Sequence, residues 1–349
     1  MRYKLLGPSG LRVSELCLGT MSFGDAWGFG AEEKEAHRIL EAFADAGGNF
    51  IDTANAYHEG QSEEFLGSFL GPGRDRFVVA TKYTLAMDPG DPNAAGNSRK
   101  NLRRSVEASL RRLRTDHLDL LWVHAWDYTT PVAEVMRALD DLVSAGTVLH
   151  VALSDAPAWV AAQANTLATW RGWSPLVALQ LEYSLLERTA DRELLPAAEA
   201  LGLSVCAWAP LGAGILTGKY TRGATTVPED SRRAAANQAR LTERNLGIAG
   251  EVDRVADALG AGSAQVSTAW VRSRGVNPVV GVRALEQLED VLGCLDLELP
   301  AEHLAELDEV SRIELGFPYE LLMGPQGQMF YGDLEPQIEL PGAAPIRWR

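Results

Sequence analysis

The chain has 349 residues, 46% hydrophobic and 23% charged, enough apolar material for a sizeable core and too much for bulk disorder. Its 32 Lys and Arg against 47 Asp and Glu give a formal net charge of −15. That balance excludes the basic footprint of a nucleic-acid surface and disfavours anionic lipid, so an anionic ligand would need local cations or backbone N–H groups.

Residues 1–20, MRYKLLGPSGLRVSELCLGT, hold no apolar run followed by a small-residue cleavage site, and no secretion signal is read there. No stretch approaches the roughly 18 apolar residues of a membrane span. The expectation is a soluble cytoplasmic protein without a membrane or nucleic-acid partner. Gly7-Pro8-Ser9-Gly10 predicts a small hairpin over residues 1–13. Strands are then predicted at 15–20, 49–53, 77–82, 118–124, 149–155, 176–183, 203–210 and 277–282. Most are apolar without strict alternation, as parallel strands covered on both faces should be.

Helical patterns lie between them. After residue 32, EKEAHRILEAFADAGG places Ala36, Ile39, Leu40 and Phe43 on one face, with Gly47 as a stop. Ser98 is a plausible N-cap for a helix burying Leu102, Val106, Leu110 and Leu113. Further helices are predicted at about 131–145, 157–170, 189–201, 263–274 and 285–293. Repeated βα units predict an α/β fold, a (β/α)8 TIM barrel forming a single domain over residues 1–349. Two segments break the rhythm: a long loop at 212–247, of a length often functional, and a Gly/Pro-rich tail at 314–349. Cys17, Cys206 and Cys294 are odd in number and far apart, which predicts buried thiols rather than a disulfide framework.

The reactive site of such a barrel lies at the carboxyl ends of its strands. Asp52 follows the second barrel strand, Tyr57 lies in the loop beyond it, Lys82 ends the third and His124 the fourth. Each has an ordinary structural reading, as a turn carboxylate, a loop aromatic, a strand-end charge and a neutral histidine. Together their chemistry fits. An ammonium beside a phenol lowers its pKa, a carboxylate keeps the ammonium charged and oriented, and a histidine donates to a carbonyl oxygen. Such a set can protonate a carbonyl that is becoming an alcohol.

The chain resembles the aldo-keto reductases, a TIM-barrel family, over about residues 1–325. The resemblance is carried by GLRVSELCLGTMSFG (10–24), NFIDTANAYHEGQSEEFLG (49–67), VVATK (78–82), DLLWVH (119–124), QLEYSLLER (180–188), WAPLGAGILTGKY (208–220) and VVGVRALEQLEDVLG (279–293). Within the family it is expected to stand closer to the potassium-channel β-subunit-like, bacterial branch. The resemblance implies a catalytic tetrad of Asp52, Tyr57, Lys82 and His124, and NADPH bound without a Rossmann glycine motif. It implies that Ser154, Asp155 and Gln180 hold the nicotinamide carboxamide and that Trp208 lies against the ring. Ala209, Pro210 and Leu211 follow as cofactor contacts, and Gly212, Gly214 and Lys219 resemble the pyrophosphate loop. Gly281 would be a further cofactor contact, Arg283 would reach the adenosine 2′-phosphate, Gln287 and Asp290 would line the adenine pocket, and Arg232 and Arg233 would close over the phosphates.

Two positions depart from the family pattern. Asp155 stands where most members have asparagine, and Asp290-Val291 replaces a Glu-Asn pair, which weakens an adenine hydrogen bond and the preference for NADP over NAD. Arg283 still favours NADPH, since a guanidinium recognises phosphate well. The substrate pocket is expected to be lined by Met21, Phe23, Trp27, Tyr57, Trp126 and parts of the two long segments, favouring apolar or aromatic carbonyl compounds. The resulting expectation is an NADPH-dependent reductase of aldehydes or ketones with Tyr57 as general acid and no metal. The alternative is an NADP(H)-binding redox-sensing subunit with little turnover. The intact His124 favours catalysis, because the channel-subunit relatives have lost that histidine.

Overall fold

The computed structural model describes residues 1–223, 238–323 and 332–337. A two-stranded antiparallel hairpin, β1 (Tyr3–Leu5) and β2 (Arg12–Ser14), turns at the Gly7–Gly10 segment where the sequence predicts it. Eight parallel strands follow: β3 (Cys17–Gly19), β4 (Phe50–Asp52), β5 (Val78–Tyr83), β6 (Leu118–Val123), β7 (Val148–Ser154), β8 (Leu176–Glu182), β9 (Ser204–Trp208) and β10 (Asn277–Gly281). They close in the order β10-β3-β4-β5-β6-β7-β8-β9, the expected (β/α)8 barrel. Around it lie α1 (Glu33–Asp45), α2 (Gln61–Leu70), α3 (Arg99–Leu113), α4 (Val132–Ser144), α5 (Ala158–Arg171), α6 (Leu194–Ala200), α7 (Glu243–Leu259), α8 (Ser263–Ser273) and α9 (Leu285–Leu292). Two further helices, α10 (Ala301–Val310) and α11 (Tyr319–Met323), come after the last βα unit.

Alternation along the strands separates two cores. Leu18, Ile51, Val79, Leu121, Val151, Leu179 and Val205 pack outward against the helices. Cys17, Phe50, Val78, Ala80, Leu120, Trp122, Ala152, Ala178, Cys206 and Val279 fill the interior. Leu6 and Val13 of the hairpin join this inner cluster, so the hairpin closes the amino end of the barrel. The fit is close there: a Cβ on Gly7 (φ +55°) would lie 2.0 Å from the Val177 carbonyl oxygen. Cys17, Cys206 and Cys294 are all free and buried.

Side chains two residues apart share a face. Continuing each inward series one step toward the carboxyl end reaches Gly19, Asp52, Lys82, His124, Ser154, Gln180, Trp208 and Gly281. The interior changes from apolar to polar in one layer, and that layer is the floor of the barrel mouth.

The predicted helices stand with small shifts. Ser98 caps α3, its Oγ accepting from the Asn101 N–H at 3.3 Å, and Leu110 on that helix is half-buried rather than buried. The helix expected over 189–201 is split into a 3₁₀ turn at Thr189–Asp191 and the short α6. Pro196 explains the split: lacking an N–H, it is tolerated only in a helix's first turn, and α6 begins two residues before it. The segment expected as one loop at 212–247 contains a 3₁₀ turn at Gly212–Thr217, and its last residues already belong to α7. The sequence reading does not include α2, α7, α10 or α11. No helix among the described residues is long and apolar enough to cross a membrane.

Candidate active site

Lys82 is buried in the floor of the mouth, and its ammonium uses all three of its donors. One goes to Asp52 Oδ2, one to the Thr53 carbonyl at 2.8 Å and one to the Tyr57 hydroxyl oxygen at 3.0 Å. The register brings them together, because β4 and β5 pair Asp52 with Ala80, one inward step from Lys82. Asp52 is held from its other side by Gln180, whose amide donates to Oδ1 at 3.0 Å. Sequence reasoning gave Gln180 only a cofactor role. Its hold on Asp52 has no local sequence signal, since the two residues lie 128 positions apart.

Tyr57 opens a 3₁₀ turn, Tyr57–Gly60, that returns the chain over the mouth. Its ring stands edge-on to His124, with centroids 5.9 Å apart and planes at 84°. The Tyr57 oxygen accepts from Lys82, so its own proton points elsewhere. Burial raises the phenol's pKa, Lys82 opposes that shift, and the net direction is upward. This corrects the expectation that the ammonium brings the phenol below its ordinary value: an apolar surround penalises the phenolate more than one shared cation favours it. Burial would lower the Lys82 pKa, but Asp52 and Tyr57 outweigh it and hold the ammonium charged. Burial, with the Lys82 charge adding to it, lowers His124 to about 3, so its imidazole is neutral at neutral pH. His124 Nδ1 is buried with no hydrogen-bond partner among the described residues.

Ser154 Oγ, at the end of β7 beside Gln180 in register, is likewise buried with no partner among the described residues. Asp155 follows at φ +41°, a left-handed conformation for which Asn and Asp are the usual non-glycine choices. Its Oδ1 accepts from the Trp208 indole N–H at 3.0 Å, a link across the mouth that the sequence does not announce. Burial raises the Asp155 carboxyl pKa above its ordinary value, with Trp208 and Lys82 pulling the other way. The side chain nevertheless reaches solvent at the rim.

Ala209, Pro210 and Leu211 lead from β9 into the 3₁₀ turn that carries Gly212 and Gly214. Gly214 has φ +88°, and a Cβ there would sit 2.9 Å from Lys219 Nζ, so the absence of a side chain lets the ammonium fold back over the turn. Gly281 ends β10 and Arg283 lies just beyond it; β10 pairs with β9 on one side and β3 on the other, so these segments neighbour each other at the mouth. Gln287 accepts from the Arg283 N–H at 2.9 Å, and Asp290 accepts from Gln265 Nε2 at 2.9 Å. The predicted contacts at Arg232 and Arg233 lie outside the described residues. Phe23, expected to line the pocket, is fully buried in the outer core and cannot present its ring at the mouth. Trp126 is buried too, while Met21 and Trp27 keep exposed surface.

Eight parallel strands with a buried lysine–carboxylate pair under a phenol and a neutral histidine define a barrel whose carboxyl end is equipped for acid–base chemistry on a small molecule. The chain belongs to the Aldo/keto reductase family, which it matches over residues 15–312. It is similar to norsolorinic acid reductase stcV from Emericella nidulans, with 38% identity over 95% of this chain and 87% of that protein. It is also similar to the aryl-alcohol dehydrogenase (NADP(+)) of Phanerodontia chrysosporium, with 37% identity over 93% of this chain and 89% of that one. A third relative, aryl-alcohol dehydrogenase GME11368 of Pestalotiopsis microspora, is 38% identical over 92% of this chain and 85% of its own length. These fungal relatives correct the expected position within the family: the chain sides with the norsolorinic acid reductase and aryl-alcohol dehydrogenase branch, not with the potassium-channel β-subunit-like, bacterial one. The quoted motifs sit mostly at strand ends around the mouth, so they carry the family and say little about the branch.

Proposed function

We propose that this protein reduces an aldehyde or ketone carrying an aryl group to the corresponding alcohol, with NADPH as reductant. The observation that carries the reading is the triple engagement of Lys82, which fixes the Tyr57 oxygen as an acceptor and leaves its proton for an oxygen beyond it. His124, neutral because burial holds its pKa near 3, offers a ring N–H to the same oxygen without adding charge. The aryl preference draws on the names of the relatives and on Met21 and Trp27 at the rim.

NADPH, when bound, supplies the hydride. The residues fit it in two respects. Ser154 Oγ is a buried polar atom on the inward face with no partner among the described residues, which a carboxamide would satisfy. Gly214 leaves the room in which Lys219 can lie over an anionic group. In this reading Ser154, Asp155 and Gln180 hold the carboxamide, Trp208 flanks the nicotinamide, and residues from Ala209 to Lys219 follow the pyrophosphate. Gly281, Arg283, Gln287 and Asp290 take the adenosine end. Incubating the purified protein with NADPH and 4-nitrobenzaldehyde is expected to consume NADPH at 340 nm and form one 4-nitrobenzyl alcohol per cofactor. No turnover across a panel of aryl and alkyl carbonyl compounds, with NADPH bound, would refute the reading.

Asp155 should weaken the cofactor's hold. A carboxylate accepts from Trp208 as an amide oxygen would, but it adds a negative charge and offers no N–H. Asp155→Asn is therefore expected to keep the Trp208 bond and tighten NADPH about three- to tenfold, the scale of one hydrogen bond. Fluorescence titration of the two proteins checks this.

A further inference from the structure

His58, the residue after the proposed acid, is fully buried and sits at φ +46°, followed by Glu59 at φ +60°. Two consecutive non-glycine residues in the left-handed region cost energy that the surroundings must offset. The offset is visible in what the imidazole holds. Its Nδ1 faces the Trp27 N–H at 3.3 Å and its Nε2 faces the Met21 carbonyl at 3.1 Å. The first partner can only donate and the second can only accept, so the ring is neutral with its proton on Nε2. The indole of Trp27 stacks on this ring at 4.4 Å, Phe29 meets its edge at 5.4 Å, and Trp27 stands edge-on to Tyr57 at 6.3 Å. Further ties of the segment come from the same turn and helix. Gln61 accepts from the N–H groups of Asp25 and Ala26 and donates to the Asp25 carboxylate, and Ser62 donates to the Phe23 carbonyl. Gly24 (φ +135°) backs directly onto the imidazole, where a Cβ would fall 2.5 Å from His58 Cβ.

We infer that His58 is a positioning residue that clasps residues 21–31 to the Tyr57 turn, holding the Trp27 ring as a fixed wall that selects flat aromatic carbonyl substrates over flexible aliphatic ones. The inference rests on the proposed reductase reading for its substrate class. The clasp ties the wall and the acid to one short turn, so the aromatic surface is set relative to the proton donor rather than to the barrel at large. A wall already ordered before binding spares the ligand the cost of ordering it.

The test uses the full chain loaded with NADP⁺ and the non-reducible probe 4-nitrobenzamide, titrated calorimetrically, alongside turnover. His58→Gly suits the backbone and removes only the ring, so it is expected to fold; probe affinity should fall about tenfold, the worth of one aromatic contact. Selectivity for 4-nitrobenzaldehyde over butanal should fall by about the same factor. His58→Asn, which tolerates the conformation and keeps a donor and an acceptor, should recover part of the loss. Trp27→Ala should match His58→Gly, and the double variant should be no worse than either. Additive losses in the double variant, or an equal fall in kcat for both aldehydes with probe affinity unchanged, would overturn the clasp. Because the probe is not reduced, a non-additive binding cycle upholds the clasp even where no carbonyl compound is turned over, which separates the two readings.

Discussion

Lys82→Met is expected to lower the unfolding free energy by about 3–5 kcal/mol and turnover by about 10²–10⁴-fold. Both effects come from one arrangement. The Lys82 side chain is wholly buried and that of Asp52 is 3% exposed, so neither charge has water to fall back on. Methionine fills most of the volume but leaves the Asp52 carboxylate facing an apolar group, with the Gln180 amide as its remaining donor among the described residues. A buried charge stripped of its counter-ion is far more costly than a missing pair. Adding Asp52→Asn to Lys82→Met should therefore recover much of the stability and none of the activity. Urea unfolding of the two single variants and the double variant measures the first effect, and steady-state reduction of an aryl aldehyde measures the second. The pH dependence has a defined sign. Asp52 and Tyr57 raise the Lys82 pKa above its ordinary value, so its contribution to stability is complete at neutral pH and is lost only as pH rises through the alkaline range.

The sequence makes the barrel and three of the four polar residues grouped at its mouth legible for a common reason. Inward-facing positions recur every two residues, and the point where a strand turns from Phe50 to Asp52, from Ala80 to Lys82 or from Trp122 to His124 is visible without coordinates. What it conceals depends on distance or on net balances. Gln180 reaches Asp52 from the far side of the barrel, and the Trp208–Asp155 bond depends on a left-handed backbone that no local signal demands. The direction of the phenol's pKa is concealed too, because charge proximity follows from residue types while the degree of burial opposing it does not. Phe23 looked like a rim aromatic, yet the chain returns through a bridge between Phe23 and Ala31 that turns its ring into the outer core. Helix α2 escaped notice because its buried face carries Ser62, Glu63 and Gly67 among only two leucines, too few apolar residues for a clear period. Glu63 there accepts from Thr81 and pairs with Arg112, so the helix is anchored by polar groups where the pattern looks for apolar ones.

Tyr57→Phe isolates the proton from everything else at the mouth. It removes one oxygen and keeps the ring that meets Trp27 and His124, so the fold should persist and NADPH affinity should change little. Lys82 loses one of its three acceptors and retains Asp52 and the Thr53 carbonyl, a cost of about 1–2 kcal/mol that leaves the ammonium paired. Turnover should fall by about 10²–10⁴-fold, the range a positioned general acid supplies, with the loss in kcat rather than in KM. The pH profile of the unaltered protein tests the same assignment from another direction. Burial raises the Tyr57 pKa, so the hydroxyl stays protonated through neutral and mildly alkaline pH, and the reduction rate should not decline there on its account. On the acid side His124 remains neutral until pH approaches about 3, so its protonation should impose no acid limb at ordinary assay pH. A phenylalanine variant that keeps wild-type kcat would move the proton donor elsewhere, and His124, the other ring facing that position, would be the residue to replace next.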